Sequence, residues 1–179
     1  MDINLLVNIT SRAWALPILA HLHDGVPGRQ APLLSATRAS RTAFAQSLAH
    51  LIEIGLLERN PGHGHPLRPE FRLTPKGQVA AQLAHRVHAV PGEHKALLRR
   101  SWTLPILTTL KRPSRFTTVK QQLGSITDRA LSQSLQTLED HDWISRTVDG
   151  ASRPPHPVYR AINTGQVISE MTRPVVTLR

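Results

Sequence analysis

The chain has 179 residues and carries 22 Lys and Arg against 12 Asp and Glu, so its formal net charge is +10 and its pI is near 11.5. This charge favours a polyanionic partner, and nucleic acid is favoured over an acidic membrane surface. A composition of 40% hydrophobic and 19% charged residues is typical of a folded globule. The absence of Cys excludes disulfides, thiol redox sensing and cysteine-ligated zinc.

Targeting and membrane patterns are absent from the sequence. No apolar run approaches the roughly 20 residues that span a bilayer, and the N-terminus has no basic segment ahead of an apolar core. We therefore expect a cytoplasmic protein without a membrane partner.

An internal repeat organises the chain. The sequence WALPIL at residues 14–19 recurs as WTLPIL at residues 102–107, with five of six positions identical at an offset of 88. Matches further along lie at an offset of 87 or 88: Leu48 with Leu135, Leu51 with Leu138, Arg59 with Arg146, and Gly77 with Gly165. The repeat predicts two copies of one fold, with domains at 1–90 and 91–179 joined near Pro91.

The first helix of each copy has an apolar face that begins at Trp14 or Trp102 and continues at i+4, i+5 and i+8. Residues 2–9 are predicted to extend this helix toward the N-terminus in the first copy. Pro17 and Pro105 fall inside the pattern and predict either a kink or a helix start. A short second helix follows in each copy, near 32–37 and 117–123.

A turn then leads into a third helix, for which Ser40 and Thr127 are predicted N-caps because their hydroxyls accept free backbone N–H groups. The third helix has apolar residues at i, i+4 and i+7, which are Phe44, Leu48 and Leu51 in one copy and Leu131, Leu135 and Leu138 in the other. Two short strands are predicted next, at 56–59 and 70–73 or at 143–146 and 158–162. A trailing helix closes each copy, at 78–90 or 165–171. The predicted fold class is mainly α with small β-hairpin wings, as two tandem winged helix-turn-helix domains.

The second copy carries a recognisable set of motifs: WTLPIL from Trp102, ITDRAL from Ile126, WISR from Trp143, PHPVY from Pro155, and Gly165. This pattern resembles the HxlR-type winged helix-turn-helix transcriptional regulators of bacteria over nearly all of the second copy. The first copy resembles them less closely in its helix-turn-helix. The resemblance implies a sequence-specific regulator that binds double-stranded DNA and is associated with the bacterial nucleoid when bound. Members usually hold one such domain and act as homodimers, and many carry a reactive Cys that is absent here.

The outer face of the third helix is the candidate base-reading surface, because an α-helix fits the major groove and its polar side chains contact base edges. At 100° per residue, the face opposite Leu131 holds Arg129, Gln133 and Gln136, with Ser132 on its flank. Arg can grip guanine in bidentate fashion and Gln can pair with adenine. The alternative is an ordinary solvated helix face.

The corresponding face of the first copy holds Thr42 and Gln46 and offers fewer donors. Arg38 and Arg41 at its helix start are predicted to contact phosphates, which position a protein without carrying sequence information. This difference leads to the hypothesis that the two copies read unequal half-sites, with the second dominating.

The predicted wings are also basic, and cations there are expected to contact the DNA backbone or minor groove. The candidate residues are Arg68 in the first copy and Arg153 and Arg160 in the second. The wings also contain His63, His65, Arg72 and His156, and Arg72 and Arg160 could instead be ordinary exposed strand residues. A further basic cluster around Arg99 and Arg100 is interpreted either as a backbone contact or as a solvated charge run.

Other functions are less favoured by the sequence. The ten His residues lack the spacing of a metal site, and no catalytic motif is present. We therefore expect that the protein binds no metal or cofactor and is not an enzyme. One rival reading is a tandem winged-helix protein-interaction scaffold without sequence-specific DNA binding. Another adds a small-molecule effector pocket lined by Trp14, Trp102 and Leu97. The chain would act either as a monomeric pseudo-dimer or as a homodimer, for which Leu5, Leu6 and Ile9 offer an apolar strip.

Overall fold

The computed structural model describes residues 1–60, 69–93, 95–150, 153 and 155–178. They fall into two compact units, one comprising Asn8–Ala89 and the other comprising Met1–Val7 together with Val90–Arg179. The units follow the sequence repeat except at the N-terminus, where the first seven residues belong with the second repeat.

Hydrogen bonds between the two ends of the chain account for this placement. The N–H of Ile3 donates to the carbonyl of Thr177 at 3.1 Å, and the N–H of Thr177 donates to the carbonyl of Met1 at 3.0 Å. Asp2 and Thr177 thus form a parallel bridge. The chain passes between its two units at two places, near residues 7 and 90, whereas the sequence predicted a passage only near residue 90.

The first repeat follows the predicted order of elements. Its helices and strands are α1 (Ile3–Thr10), α2 (Ala15–His23), α3 (Gln30–Thr37), α4 (Arg41–Glu53), β1 (Leu57–Asn60), β2 (Glu70–Leu73) and α5 (Pro75–Ala89). The division between the units falls inside α1.

The second repeat has the same order with one additional strand. After a 3-10 helix at Lys95–Arg99 come α6 (Thr103–Thr109), β3 (Ser114–Arg115), α7 (Phe116–Leu123), α8 (Asp128–Asp140), β4 (Ile144–Asp149), β5 (His156–Ala161) and α9 (Asn163–Thr172).

Each repeat contains a small antiparallel sheet whose hairpin forms the wing. Strands β1 and β2 pair from Leu57 opposite Leu73 to Asn60 opposite Glu70. In the second repeat β4 and β5 pair over six residues, and β3 joins β5 to give the strand order β3-β5-β4. The predicted fold class, mainly α with two small β-hairpin wings, is confirmed. Strand β3 is too short to carry a periodic signal and was not predicted.

Residues 2–9 do not extend the first helix of the repeat, so that prediction was wrong. Helix α1 ends at Thr10 and α2 begins at Ala15. Pro17 is the third residue of α2 and has no N–H to continue a helical ladder from the preceding turn. Pro105 holds the same place in α6, and both prolines therefore mark helix starts.

The apolar faces predicted for the third helices form the core of each repeat. Phe44, Leu48 and Leu51 of α4 are buried, as are their counterparts in α8. Burying three such side chains stabilises each repeat by several kcal/mol, at about 1.5–3 kcal/mol for each side chain. This packing also sets which face of the third helix remains outside.

Two glycines let the trailing helix approach the start of the wing. A Cβ on Gly77 would lie 1.9 Å from the carbonyl oxygen of Leu56, and a Cβ on Gly165 would lie 2.0 Å from that of Trp143. Such a distance is far inside van der Waals contact, and the obstacle is backbone rather than a flexible side chain. Only glycine fits at either position.

Replacing Gly165 by Ala is therefore expected to destabilise the protein by about 1–3 kcal/mol, the usual cost of forcing extra atoms into a packed site. Urea unfolding followed by circular dichroism measures the change. The matched control is Gly150→Ala, because nothing lies within 4 Å of a Cβ built on Gly150, and its effect should stay within about 0.5 kcal/mol. Equal effects of the two substitutions would contradict this account of Gly165.

Candidate nucleic-acid interface

Side-chain caps fix the start of both third helices. The hydroxyl of Ser40 accepts a hydrogen bond from the N–H of Ala43 at 3.3 Å, and the hydroxyl of Thr127 accepts one from the N–H of Ala130 at 3.2 Å. Both predicted N-caps are thus confirmed. Each cap satisfies one free backbone donor and determines where the helix begins, so the outward residues of α4 and α8 have a defined position along the helix.

The predicted reading face of α8 lies on the solvent side of the helix. Arg129, Ser132, Gln133 and Gln136 are all exposed. Within the described part of the chain, Arg129 forms no ion pair. The side-chain amide of Gln136, by contrast, already donates a hydrogen bond to the carboxylate of Asp140 at 2.8 Å. Arg129 and Gln133 are consequently the donors most available to a ligand on this face.

The first turn of α8 also carries an acidic residue that would repel a phosphate. Asp128 lies at the N-terminus of the helix, where the positive end of the helix dipole stabilises a carboxylate. Its Oδ1 is 2.5 Å from the Nζ of Lys120 on α7. This ion pair offsets the carboxylate charge and connects the two helices of the helix-turn-helix.

The outward face of α4 has fewer hydrogen-bond donors than that of α8, but the start of α4 carries more positive charge. Thr42 and Gln46 are exposed, and their neighbours on this face, Ala45 and Ala49, have no polar side-chain atoms. Arg41 is the first residue of α4 and occupies the position of Asp128 in the repeat. Arg38 ends α3 in the left-handed conformation with φ of 55°. Both arginines are exposed beside the free N–H groups of a helix start, which is a favourable place for a phosphate.

Arg100 adds a cation next to the reading face of α8. It lines a cavity of about 210 Å³ together with Trp102 and with Gln133 and Thr137 of α8. From the sequence, the cluster that contains Arg100 could be either a DNA-backbone contact or a solvated charge run. A run of charges near a domain join has no periodicity from which its position relative to α8 could be predicted. The structure brings it beside Gln133.

The three arginines predicted for the wings differ in their surroundings. Arg68, like the neighbouring His63 and His65, lies outside the described residues. Arg153 is exposed. Arg160 lies on β5 opposite Ser145 and lines a cavity with Lys111, Arg112 and Arg173.

Part of the basic charge near the first wing is already balanced within the protein. Glu70 accepts hydrogen bonds from Arg72 at 3.2 Å and from Arg29 at 3.4 Å. The bond from Arg72, and after it the bond from Arg29, hold the pKa of the Glu70 carboxyl below its ordinary value. Arg72 is therefore less available to DNA than its exposure alone would indicate.

Four histidines gather where α2 packs against α5. The rings of His23 and His85 lie 4.8 Å apart, those of His21 and His88 lie 5.8 Å apart, and His85 also pairs with Asp24. Across the described ranges, no group of three or more His, Asp or Glu is arranged to hold a metal ion. These side chains form a packing surface between two helices.

No single helix in the part of the chain that the structure describes is both long and apolar enough to span a membrane, although α1 and α2 would pass on length and composition as a bent pair.

Two capped, outward-facing third helices, each followed by a hairpin wing, define a tandem winged helix-turn-helix protein. The profile of the HxlR-like helix-turn-helix family matches this chain twice, over residues 9–93 and 97–177. The chain belongs to that family, whose members are regulatory DNA-binding proteins. Neither the curated proteins nor the solved structures yield a match to this chain.

The ion pairs of Glu70 make a prediction about pH. Because the pKa of Glu70 is lower in the folded chain than its ordinary value of 4.5, its contribution to stability is present above pH 4.5 and is lost as the pH falls through the lowered folded value. The variant Glu70→Gln should therefore melt below the wild type at pH 7, and the difference should shrink toward zero in acid. Thermal unfolding from pH 7 to pH 3 measures it.

The control is Asp142→Asn, since Asp142 forms no ion pair with another described residue. Its melting difference from wild type should change little over the same pH range. If the difference between Glu70→Gln and wild type were constant with pH, the ion pairs of Glu70 would not contribute to stability.

Proposed function

We propose that this protein is a sequence-specific, double-stranded-DNA-binding transcription regulator in which one chain supplies both winged helices and acts as a pseudo-dimer. The observation that carries the proposal is the pair of capped third helices with exposed donor faces in a chain of the HxlR-like family. A homodimer of a one-domain relative would present two such helices to successive major grooves, and half-sites about one helical turn apart suit that arrangement.

The electrostatics of the chain favour this function over a protein-interaction scaffold. A net charge of +10 attracts a polyanion, and a scaffold would need no cations at its third helices. Arg38 and Arg41 at the start of α4, Arg100 beside α8, and Arg68, Arg153 and Arg160 in the wings are proposed to contact phosphates. Arg129 and Gln133 are proposed to read bases, with Ser132, Gln136, Thr42 and Gln46 in supporting positions.

The pseudo-dimer is preferred to a homodimer because the apolar strip on α1 is already used. Leu6 and Ile9 are buried within the single chain, so they are not free to pack against a second copy. Residues 1–7, which include Leu6, belong to the unit formed by the second repeat. No small-molecule effector is needed for binding in this proposal.

Selection of bound duplexes from a random DNA pool, followed by footprinting, tests the function. We expect one protected region of about 20 base pairs, two half-sites one turn apart, occupied by a single chain as measured by light scattering of the complex. The logarithm of the binding constant should fall linearly with the logarithm of salt concentration as phosphate contacts release counterions. Weak binding without sequence enrichment would favour the scaffold, and two chains per site would favour the homodimer.

The two repeats are expected to contribute unequally to specificity. Gln133→Ala should relax base preference in its half-site by about 1–3 kcal/mol, the usual worth of a bidentate base contact, whereas Gln46→Ala should have a smaller effect. Binding of each variant to the selected site and to single-base mismatches measures this. Gln82→Ala, an exposed glutamine on α5, is the matched control and should leave specificity unchanged. Equal losses for Gln133→Ala and Gln46→Ala would contradict the unequal half-sites.

A further inference from the structure

The second repeat contains a cationic cavity that DNA reading by α8 does not require. The cavity measures about 220 Å³ and is formed by the end of α6, by β5 and by α9. Its charged and amide lining residues are Lys111, Arg112, Arg160, Gln166, Glu170 and Arg173. Four of these are cations, and the carboxylate of Glu170 already accepts a hydrogen bond from the Gln166 amide at 2.9 Å.

Lys111 anchors the cluster. Its ammonium donates to the carbonyls of Val176 at 2.8 Å and Arg173 at 3.4 Å, near the end of α9. Burial, together with the charge of Arg173, lowers the pKa of Lys111. The fold thus holds Lys111 in a place that disfavours its charge, beside three arginines that form no ion pair with another described residue.

The first repeat shows how the same place in the fold is balanced by an internal anion. At the repeat offset of 88, Lys111, Arg112 and Arg173 correspond to His23, Asp24 and His85. There the carboxylate of Asp24 pairs with His85. In the second repeat Arg112 stands at the position of Asp24, so a cation is present where the first repeat has a carboxylate.

The strand beside the cavity also has one carboxylate fewer than its counterpart in the first repeat. Arg160 corresponds to Arg72, whose guanidinium pairs with Glu70 at 3.2 Å. The counterpart of Glu70 in the second repeat is Val158. The second repeat therefore has no carboxylate at either position. It has one elsewhere in the lining, Glu170, where the first repeat has Gln82, and the four cations of the lining still outnumber it.

We propose that this cavity binds a small, multiply charged oxyanion of the phosphate class, which takes the place of the two missing carboxylates. Guanidinium groups present planar pairs of donors that match oxyanions, and bonds between two charged partners are the stronger kind. The cavity is smaller than the roughly 300 Å³ at which sites for drug-sized ligands begin, so it suits an ion of a few heavy atoms. Arg160 is shared with the proposed wing contact to DNA, whereas Lys111, Arg112 and Arg173 are not among the proposed DNA contacts.

Calorimetric titration of inorganic phosphate into the full chain, at constant ionic strength set with sodium chloride, tests the proposal. The informative variant is Arg112→Asp, which introduces the residue found at this position in the first repeat and supplies the anion internally. Arg173→Gln removes a cation without adding a carboxylate. The matched control is Arg146→Gln, an exposed arginine on β4 that does not line the cavity. Circular dichroism and thermal unfolding establish that each variant is folded.

The wild type and Arg146→Gln should bind phosphate with equal affinity, and phosphate should raise their melting temperatures. Arg112→Asp and Arg173→Gln should each weaken binding by about tenfold or more, as expected for loss of a charged hydrogen bond. Arg112→Asp should also melt no lower than wild type in phosphate-free buffer. If Arg112→Asp does not fold, the comparison of Arg173→Gln with Arg146→Gln decides.

Three results would overturn the proposal: no phosphate binding to wild type, an equal loss in Arg146→Gln, or reproduction of the effect by chloride. Binding of a selected DNA duplex distinguishes the two sources of phosphate. If Arg112→Asp weakened duplex binding while wild type ignored inorganic phosphate, the cavity would belong to the DNA backbone and the free-anion site would be excluded.

Discussion

A single carbonyl group in each repeat connects the elements that present the third helix. In the second repeat the carbonyl of Trp143, just after α8, accepts the N–H of Ile162 at 3.0 Å, and α9 passes over it at Gly165. In the first repeat the carbonyl of Leu56 accepts the N–H of Thr74 at 3.1 Å, and α5 passes over it at Gly77. The end of the third helix, the base of the wing and the trailing helix meet at this point, so the position of one constrains the other two.

The third helices use this common frame in different ways. Both begin at a hydroxyl cap and bury three apolar side chains, so the same face is turned outward in each. On α8 that face carries hydrogen-bond donors, and the acidic residue in the first turn is paired with Lys120. On α4 the same face includes two alanines, and the positive charge lies at the helix start, on Arg38 and Arg41. A duplicated domain can diverge in this way because outward residues do not affect packing, whereas the buried ones must be retained.

Charge has diverged as well as the reading faces. In the first repeat two carboxylates pair with neighbouring basic side chains, Asp24 with His85 and Glu70 with Arg72. The second repeat has no carboxylate at either position, and around one cavity it has four cations and a single carboxylate, Glu170. Like charges held together cost free energy unless a counter-charge is present, so a bound anion would stabilise this cluster. The two halves of this chain thus share a fold while offering anions different surfaces.

The sequence by itself determined the repeat, the order of the elements, the two N-caps and the buried face of each third helix. These features depend on local hydrogen bonding and on a 3.6-residue period, both of which are visible along the chain. The tertiary structure decided what periodicity does not carry: the two-residue strand β3, the return of residues 1–7 to the second repeat, Arg100 beside Gln133, and Arg160 beside Lys111 and Arg173. Each of these is a contact between residues far apart in sequence, and such contacts are set by how the elements pack.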